Sequence, residues 1–171
     1  MTVRRTAAWL VLILASAIAG RCQDYPKVEL FGGYSYTRTD LPPGHANASG
    51  WATSLSGNLN RHFGLTADFA GHHGGASESF NTLQYMLGPR FTLRQKRTTW
   101  FVHGLVGVYR FDSGRALTRT GMDFGGGLDI KIGRHTAFRI LQIDYVPART
   151  YGTWRDNLQV RTGVVFMFGK R

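Results

Sequence analysis

The chain has 171 residues, enough for one domain, and carries a formal net charge of +11. Its single cysteine, Cys22, excludes an internal disulfide bond. So basic a chain raises the question of nucleic acid, but the basic residues form no single stripe and the N-terminal segment reads as an export signal. We therefore expect no nucleic-acid partner. The positive charge instead favours contact with an anionic membrane surface.

Residues 1–22 are predicted to be a signal peptide, cleaved after Ala19 or nearby, up to Cys22. Arg4 and Arg5 form its charged start. The apolar run at 7–19 is shorter than the roughly 20 residues that span a bilayer. Without the two arginines the chain keeps 19 basic and 10 acidic residues, a net charge of +9. A lipoprotein anchor is disfavoured because an arginine, not a small residue, precedes Cys22.

The remaining unit, residues 23–171, contains eight segments in which apolar and polar side chains alternate, the pattern of strands with two different faces. In chain order these predicted strands are 28–37, 51–60, 63–70, 82–93, 99–111, 120–132, 136–146 and 157–168. The clearest is 82–93, in which Leu83, Tyr85 and Leu87 alternate with Gln84 and Met86. Since nothing in the chain is left to cover so many apolar faces, we expect lipid to cover them.

In two of these strands the alternation is irregular. In 99–111 we expect His103 and Tyr109 to point inward, although the alternation is weak. In 136–146 the two charged residues, Arg139 and Asp144, have opposite parity, so a regular strand would send them to different faces. A β-bulge between them is one explanation.

The connections between predicted strands alternate in length. The long ones fall at 39–50, 74–81, 112–119 and 147–156, and the others are short turns. Outer-membrane barrels have brief periplasmic turns, longer external loops and an even strand count. The sequence therefore predicts an all-β fold: an eight-stranded antiparallel transmembrane β-barrel with short periplasmic turns and four longer extracellular loops. A soluble exported lipocalin-like barrel is the alternative fold.

Four segments, 30–36, 87–91, 125–129 and 162–166, resemble the small outer-membrane β-barrel domain family, which is related to the barrel of outer membrane protein A. The resemblance implies a location in the bacterial outer membrane, insertion by the barrel-assembly machinery, and contact with outer-membrane lipids and lipopolysaccharide. Two departures stand out. Such barrels often end on an aromatic residue, whereas Gly169, Lys170 and Arg171 follow Phe168, and no peptidoglycan-binding domain is recognised.

The predicted inward faces carry both acids and bases. We expect a luminal charged network formed by Glu29, Asp68, Arg90, Asp123, Asp129, Lys131 and Arg161, which Arg139 and Asp144 can join. Because an eight-stranded barrel is filled by its own side chains, these charges must pair to tolerate burial. A structural plug is therefore preferred to the other two interpretations, a pore lining or an acid/base site.

Four basic residues of the predicted outer loops are candidates for contact with lipopolysaccharide: Arg115, Arg119, Arg149 and Arg155. Aromatic residues near the predicted outer strand ends suit a girdle at the headgroup level, where amphipathic rings are favoured. They are Tyr34, Tyr36, Trp51, Tyr109, Tyr145, Tyr151 and Trp154.

Motifs that could carry chemistry are weak. His72 and His73 cannot chelate one ion if both lie on a strand, because neighbours point to opposite faces. His72 with Ser77 or Ser79 could form a hydrolase pair of the sort seen in lipid A deacylases, but no third orienting group is identifiable. The glycines at 125–127 are not a phosphate loop, since no helix follows; they are expected to permit bending and make room for large side chains opposite.

We therefore predict no catalytic residue, no cofactor and no metal. The expected role is structural or surface interaction: membrane integrity, lipopolysaccharide contact, or loop-mediated binding of a surface partner that the sequence does not identify. The alternatives are a narrow channel for small or hydrophobic solutes and a lipid A-modifying enzyme.

Overall fold

The structure is a computed structural model that describes residues 25–41, 44–74, 80–112, 116–150 and 153–170. For residues 40, 41, 44, 45, 80, 116, 117, 149, 150, 153–155 and 170 it describes the backbone alone. The predicted signal peptide lies outside the described residues. The strands are β1 Pro26–Leu41, β2 Gly44–Asn58, β3 Phe63–Gly74, β4 Phe80–Arg94, β5 Thr98–Asp112, β6 Ala116–Lys131, β7 Thr136–Tyr145, β8 Ala148–Thr150, β9 Thr153–Arg155 and β10 Asn157–Lys170. Among the described residues, no helix is long and apolar enough to cross a bilayer.

Eight of these strands, β1 to β7 and β10, form the wall of a closed antiparallel barrel. Each pairs with the next in the chain, and β10 closes the ring on β1 from Pro26 opposite Lys170 to Thr39 opposite Asn157. The two short strands β8 and β9 make a small hairpin that is attached to β6 through Ala148 opposite Gly121. The predicted eight-stranded fold is confirmed. We call the end that carries the turns 59–62, 95–97 and 132–135 the turn end, and the opposite end the loop end.

The two faces of the wall have opposite character. Apolar side chains on the outward face are exposed, as at Leu87 (58%) and Val106 (59%). Charged side chains on the inward face, such as those of Asp123 and Asp144, are fully buried. A water-soluble barrel would bury its apolar face and expose its charges. An apolar exterior and polar interior are typical of strands that face lipid. The predicted orientation of the two faces is confirmed.

The strands are longer than predicted at the loop end, and this corrects two of the predicted loops. Residues 39–50 lie mostly in β1 and β2, which pair as far as Leu41 opposite Gly44, and 112–119 lie mostly in β5 and β6, which pair as far as Asp112 opposite Ala116. Pairing continues because each extra residue satisfies its backbone hydrogen bonds beyond the hydrocarbon, where polar side chains are tolerated on both faces. Strands of up to 16 residues exceed the 9 to 11 that cross a bilayer.

The predicted bulge lies in β7 and is confirmed. Arg139 faces Asp129 and Leu141 faces Leu128 on β6, so Ile140 is an extra residue without a partner there. The same shift occurs against β10. Ile140 and Leu141 are both exposed on the outer wall. Two consecutive outward residues restore the parity that allows Arg139 and Asp144 both to point inward.

Candidate functional site

Among the described residues, two charged clusters lie in the interior, and the one nearer the turn end is centred on Glu29. Its carboxylate accepts hydrogen bonds from Arg90 Nη1 at 2.9 Å, Arg94 Nη2 at 2.7 Å and Asn58 Nδ2 at 3.1 Å. Arg90 also donates to Ser56 Oγ at 3.0 Å. Glu29 and Arg90 are almost fully buried. A carboxylate held by two guanidinium groups and an amide is compensated in both charge and hydrogen bonding, which is what burial of an ion requires.

A second acid of this cluster, Asp129, is held by a bidentate arginine. Arg139 Nε and Nη2 donate to its two oxygens at 2.7 and 3.1 Å, and Arg90 Nη2 is 3.7 Å away. The guanidinium carbons of Arg90 and Arg139 each lie 4.2 Å from the ring centroid of Phe101. Cation–π attraction to this ring adds to the stabilisation of both charges.

The central cluster is organised around Arg161, which is fully buried. Its guanidinium donates to Asp68 Oδ2 at 2.7 Å and Gln159 Oε1 at 2.6 Å. It also lies 3.1 Å from Asp144 Oδ2 and 3.7 Å from Asp123 Oδ2. One arginine thus serves three carboxylates, which come from three different strands of the wall.

His103 completes the central cluster. Its Nε2 lies 3.1 Å from Asp123 Oδ1 and 3.3 Å from Asp144 Oδ1. The ligand atoms of these three residues are within 4.8 Å of one another, a spacing that could hold a metal ion. However, Arg161 already lies against both carboxylates, and Gln84 Nε2 donates to Asp123 at 3.1 Å. The positive charge that the acids need is therefore supplied by side chains.

Glutamine side chains connect the clusters and were not predicted as site residues. Gln142 accepts from Arg139 Nη1 at 2.5 Å and donates to Asp144 Oδ2 at 2.7 Å, which joins the two clusters. Gln159 Nε2 donates to Gln84 Oε1 at 2.9 Å. Arg94 was also missed, although it shares the inward parity of Arg90. Each of these residues could have been predicted from its position on the inward face of its strand.

The structure brings the predicted network residues together with one exception. Lys131 lines the turn-end opening beside Glu29 and Asp129, but it forms no ion pair within the described part of the chain. It is half-buried, so its ammonium group can reach water at the mouth. Lys131 therefore lies at the edge of the network rather than within it.

The histidines at the loop end divide between the two faces. His72 is buried, with Nε2 2.8 Å from Ser35 Oγ and Nδ1 3.4 Å from Thr82 Oγ1, while His73 is exposed and contacts Asn81. Ser77 and Ser79, the predicted partners of His72, lie outside the described residues. The Ser35 and His72 side chains form a pair of the kind used in nucleophilic catalysis. Both are enclosed by the wall, and no carboxylate is among these contacts of His72.

The glycines of β6 make the predicted room for large inward neighbours. A Cβ at Gly125 would overlap Asp144 Oδ1, and one at Gly127 would lie 2.8 Å from the ring of Phe101. Both glycines point into the barrel, where those side chains cross from neighbouring strands. Gly126, between them, points outward.

The predicted aromatic girdle is present in part. Tyr34, Tyr36, Trp51 and Tyr145 are exposed on the outer wall towards the loop end. The prediction that Tyr109 belongs to the girdle was wrong, because this residue lies on the same inward face as His103 and is buried. Tyr151 and the side chain of Trp154 lie outside the described residues.

The structure relocates one of the predicted loop arginines. Arg119 lies in β6 opposite Tyr109, on the inward face, and its Nε is buried, so it does not belong to an outer loop. Arg115 is outside the described residues, and only the backbone of Arg149 and Arg155 is described, in the β8–β9 hairpin. Two arginines that were not predicted, Arg38 and Arg110, are exposed on strands near the loop end.

Comparison with known proteins gives structural matches only. No protein-family model and no curated protein matches the chain. Neisserial surface protein A aligns with a TM-score of 0.72 and 11% identity, over 86% of this chain and 100% of its own. Ail, the attachment invasion locus protein of Yersinia pestis, aligns with a TM-score of 0.58 and 17% identity, over 83% and 99%. The N-terminal barrel of Pseudomonas aeruginosa OprF aligns with a TM-score of 0.55 and 10% identity, over 84% and 100%. The chain therefore has the fold of the small eight-stranded outer-membrane β-barrels, as the resemblance in its sequence implies.

Proposed function

We propose that this protein spans the bacterial outer membrane as a closed structural barrel whose loop end contacts lipopolysaccharide. The fold and the apolar outer wall support the location. The observation that carries the structural role is the central cluster, in which the buried Arg161 joins Asp144 and Asp123 on one side of the barrel to Asp68 across the interior. A solute path would have to break this network, which costs several kcal/mol for each unpaired buried charge.

The closed interior is tested by conductance in planar lipid bilayers. The refolded protein is expected to give no discrete current steps. Arg161→Ala, which removes the central cation, is the matched comparison, because it opens space within the central cluster and leaves carboxylates there that attract water. Regular current steps from the unsubstituted protein would contradict a structural plug and favour the narrow channel.

Contact with lipopolysaccharide is supported by two exposed arginines. Arg38 lies two residues beyond the exposed ring of Tyr36 on β1, and Arg110 lies near the end of β5, across the barrel. Aromatic rings are favoured at the headgroup level, so a guanidinium group just beyond such a ring, as at Arg38, can bind phosphate in a charge-assisted pair. One barrel of this fold, Ail, has been solved with the heparin analogue sucrose octasulfate, a polyanionic sugar.

The contact is tested by the amount of lipopolysaccharide that stays with the barrel during purification from outer membranes. Arg38→Gln combined with Arg110→Gln is expected to reduce the retained amount of lipopolysaccharide by about fivefold. This is the affinity factor for roughly one basic contact at a membrane surface, and the two arginines lie on opposite sides of the barrel, where each would contact a different molecule. Lys27→Gln, an exposed basic residue at the turn end, is the control and should change nothing. Equal retention in all three proteins would contradict the contact.

A lipid-modifying activity is not favoured by the geometry. The Ser35 hydroxyl and the His72 ring, which form the hydrogen-bonded pair near the loop end, face the interior and are buried. A lipid in the bilayer contacts the outer wall, on the other side of the strands from these groups. Mass spectra of lipid A with and without the protein should be the same.

A further inference from the structure

A groove of about 460 Å³ crosses the outer wall over β4, β5, β6 and β7, in the half of the barrel nearer the turn end. Its volume is in the range of roughly 300–1,000 Å³ that is usual for small-molecule pockets. The lining is almost wholly apolar, and it is open on the side that faces lipid. The lining includes Trp100, Val102, Gly126, Ile140, Leu141 and Ile143.

The groove exists because one side chain is missing from an otherwise continuous apolar row. At one level of the wall Val102, Gly126 and Ile143 are paired neighbours on β5, β6 and β7, and all three positions face outward. Gly126 contributes no side chain, so the backbone of β6 becomes the floor. The bulge on β7 adds Leu141 beside Ile140, and these two side chains form one wall of the groove.

The groove ends next to the turns, where the exposed charges are all basic. Trp100, in its lining, is two residues from the start of β5. The adjoining turns 95–97 and 132–135 carry Lys96, Arg97 and Arg134, all exposed, and contain no acidic residue. A hydrogen bond of 2.9 Å from the Lys131 amide to the Arg97 carbonyl holds the end of β6 against the first of these turns. The groove therefore ends beside two turns that carry three exposed cationic residues.

We propose that this groove binds one acyl chain of an anionic phospholipid of the inner leaflet, whose phosphate is held by Lys96, Arg97 and Arg134. Turns of this kind are periplasmic in bacterial barrels, and the leaflet on that side is made of phospholipid. The chemistry matches at both ends: hydrocarbon against Trp100 and Ile143, and phosphate against guanidinium and ammonium groups. A second copy of the chain is a poorer occupant, because it would bring the same basic turns into contact with themselves. The site is at the opposite end from the proposed lipopolysaccharide contact and does not depend on it.

The site is tested with Trp100 as a local fluorescent reporter. Trp9, Trp51 and Trp154 are replaced with Phe, and the barrel is reconstituted in phosphatidylcholine vesicles that contain increasing fractions of brominated phosphatidylglycerol or brominated phosphatidylcholine. Bromine quenches tryptophan on contact. Half-maximal quenching is expected at a fraction of brominated phosphatidylglycerol that is at least about fivefold lower than the fraction of brominated phosphatidylcholine. A factor of about five in affinity corresponds to roughly one basic contact with an anionic lipid surface.

Matched variants separate a held lipid from general enrichment of anionic lipid around the barrel. Lys96→Gln, Arg97→Gln and Arg134→Gln together should abolish the preference, whereas Lys27→Gln should keep it. Val102→Phe, whose ring can cover Gly126 across the strand pair, should reduce quenching by the anionic lipid, whereas Val106→Phe on the same strand should not. The heat-dependent gel shift identifies the folded variants. Equal half-maximal fractions for the two lipids would overturn the proposal. A preference for the anionic lipid that survives the triple substitution would also overturn it. The same holds if a barrel that keeps Trp51 as its single tryptophan shows a preference of equal size.

Discussion

Arg161 Nη1 donates a hydrogen bond to Asp68 Oδ2 over 2.7 Å, although the two residues are 93 positions apart in the chain. Their strands, β10 and β3, are not neighbours in the wall, so the bond crosses the interior. Closure of the ring brings the two side chains to the same level. The pair belongs to a network that fills the barrel and links opposite sides of its wall.

Removal of Arg161 should destabilise the barrel strongly. Arg161→Met leaves Asp68, Asp123 and Asp144 buried near one another without their shared cation, and a broken buried pair typically costs about 3–5 kcal/mol. The free energy of unfolding, measured by urea titration in phospholipid vesicles, should fall by about that amount. Arg38→Met, at an exposed site, should change it by less than about 0.5 kcal/mol. Similar values for the two variants would show that the central network does not stabilise the fold.

The pair of Arg90 and Glu29 should show energetic coupling. Arg90→Ala leaves the buried Glu29 carboxylate with Arg94 as its remaining cation, and Glu29→Ala takes from the buried Arg90 guanidinium its nearest carboxylate, whereas the double variant removes both partners of the pair. The double variant should therefore lose less stability than the sum of the single variants, with a coupling of about 0.5–3 kcal/mol. The heat-dependent gel shift and urea titration provide the measurements. Arg90→Ala combined with Arg38→Ala should be additive, and additivity for Arg90 with Glu29 as well would argue against their contact.

Two glycine substitutions should have opposite outcomes. Gly125→Ala introduces a Cβ that would overlap Asp144 and lie 2.8 Å from the carbonyl oxygen of Ile143, so overpacking should cost about 1–3 kcal/mol. Gly57→Ala adds a Cβ with nothing within 4 Å on the outer wall, and it should be neutral or slightly stabilising. Urea titration of both variants makes the comparison. If Gly125→Ala is tolerated as well as Gly57→Ala, the glycine does not make room for the acid.

Two single-residue deletions in β7 test the bulge. Deletion of Leu141 removes one of two consecutive outward residues, so Arg139 and Asp144 still point inward and the barrel should fold. Deletion of Ile143 instead turns either Gln142 or Asp144 towards lipid, because a shift of one residue exchanges the faces. The folded fraction on gels, with and without heating, should stay high for the first deletion and fall for the second. The reverse result would place the bulge elsewhere.

His62, in the turn between β2 and β3, should titrate below its ordinary value. Partial burial, and then the guanidinium groups of Arg61 and Arg94, lower its pKa from 6.5. Its ring also stacks on Phe91, with centroids 6.0 Å apart. Because the lowered pKa means that the unfolded chain binds the proton more readily, protonation opposes folding, and stability should decrease slightly as the pH falls below about 6.5. NMR titration in detergent should give a midpoint below 6.5, and Arg61→Gln should raise it; an unchanged midpoint in the variant would remove the electrostatic cause.

Much of this fold follows from alternation alone. A strand exposes opposite faces with a period of two, so Glu29, Asp68, Arg90 and Arg161 could be assigned to one side and their apolar neighbours to the other before any contact was known. The opposed parity of Arg139 and Asp144 even indicated the bulge. Tyr109 shows that closeness to a strand end does not by itself predict a girdle residue. Alternation along the strand assigned this side chain to the interior, where the structure has it.

What the sequence by itself determined was the number of strands in the barrel wall, their two faces and the ionic interior. What only the tertiary structure decided was which acid meets which base, where β7 carries its extra residue, and that Gly126 opens a groove beside basic turns. The physical reason is that alternation is a local property of each strand. Contact across the barrel depends on the register of every strand pair and on the closure of the ring, and these bring together residues that are 61 to 93 positions apart.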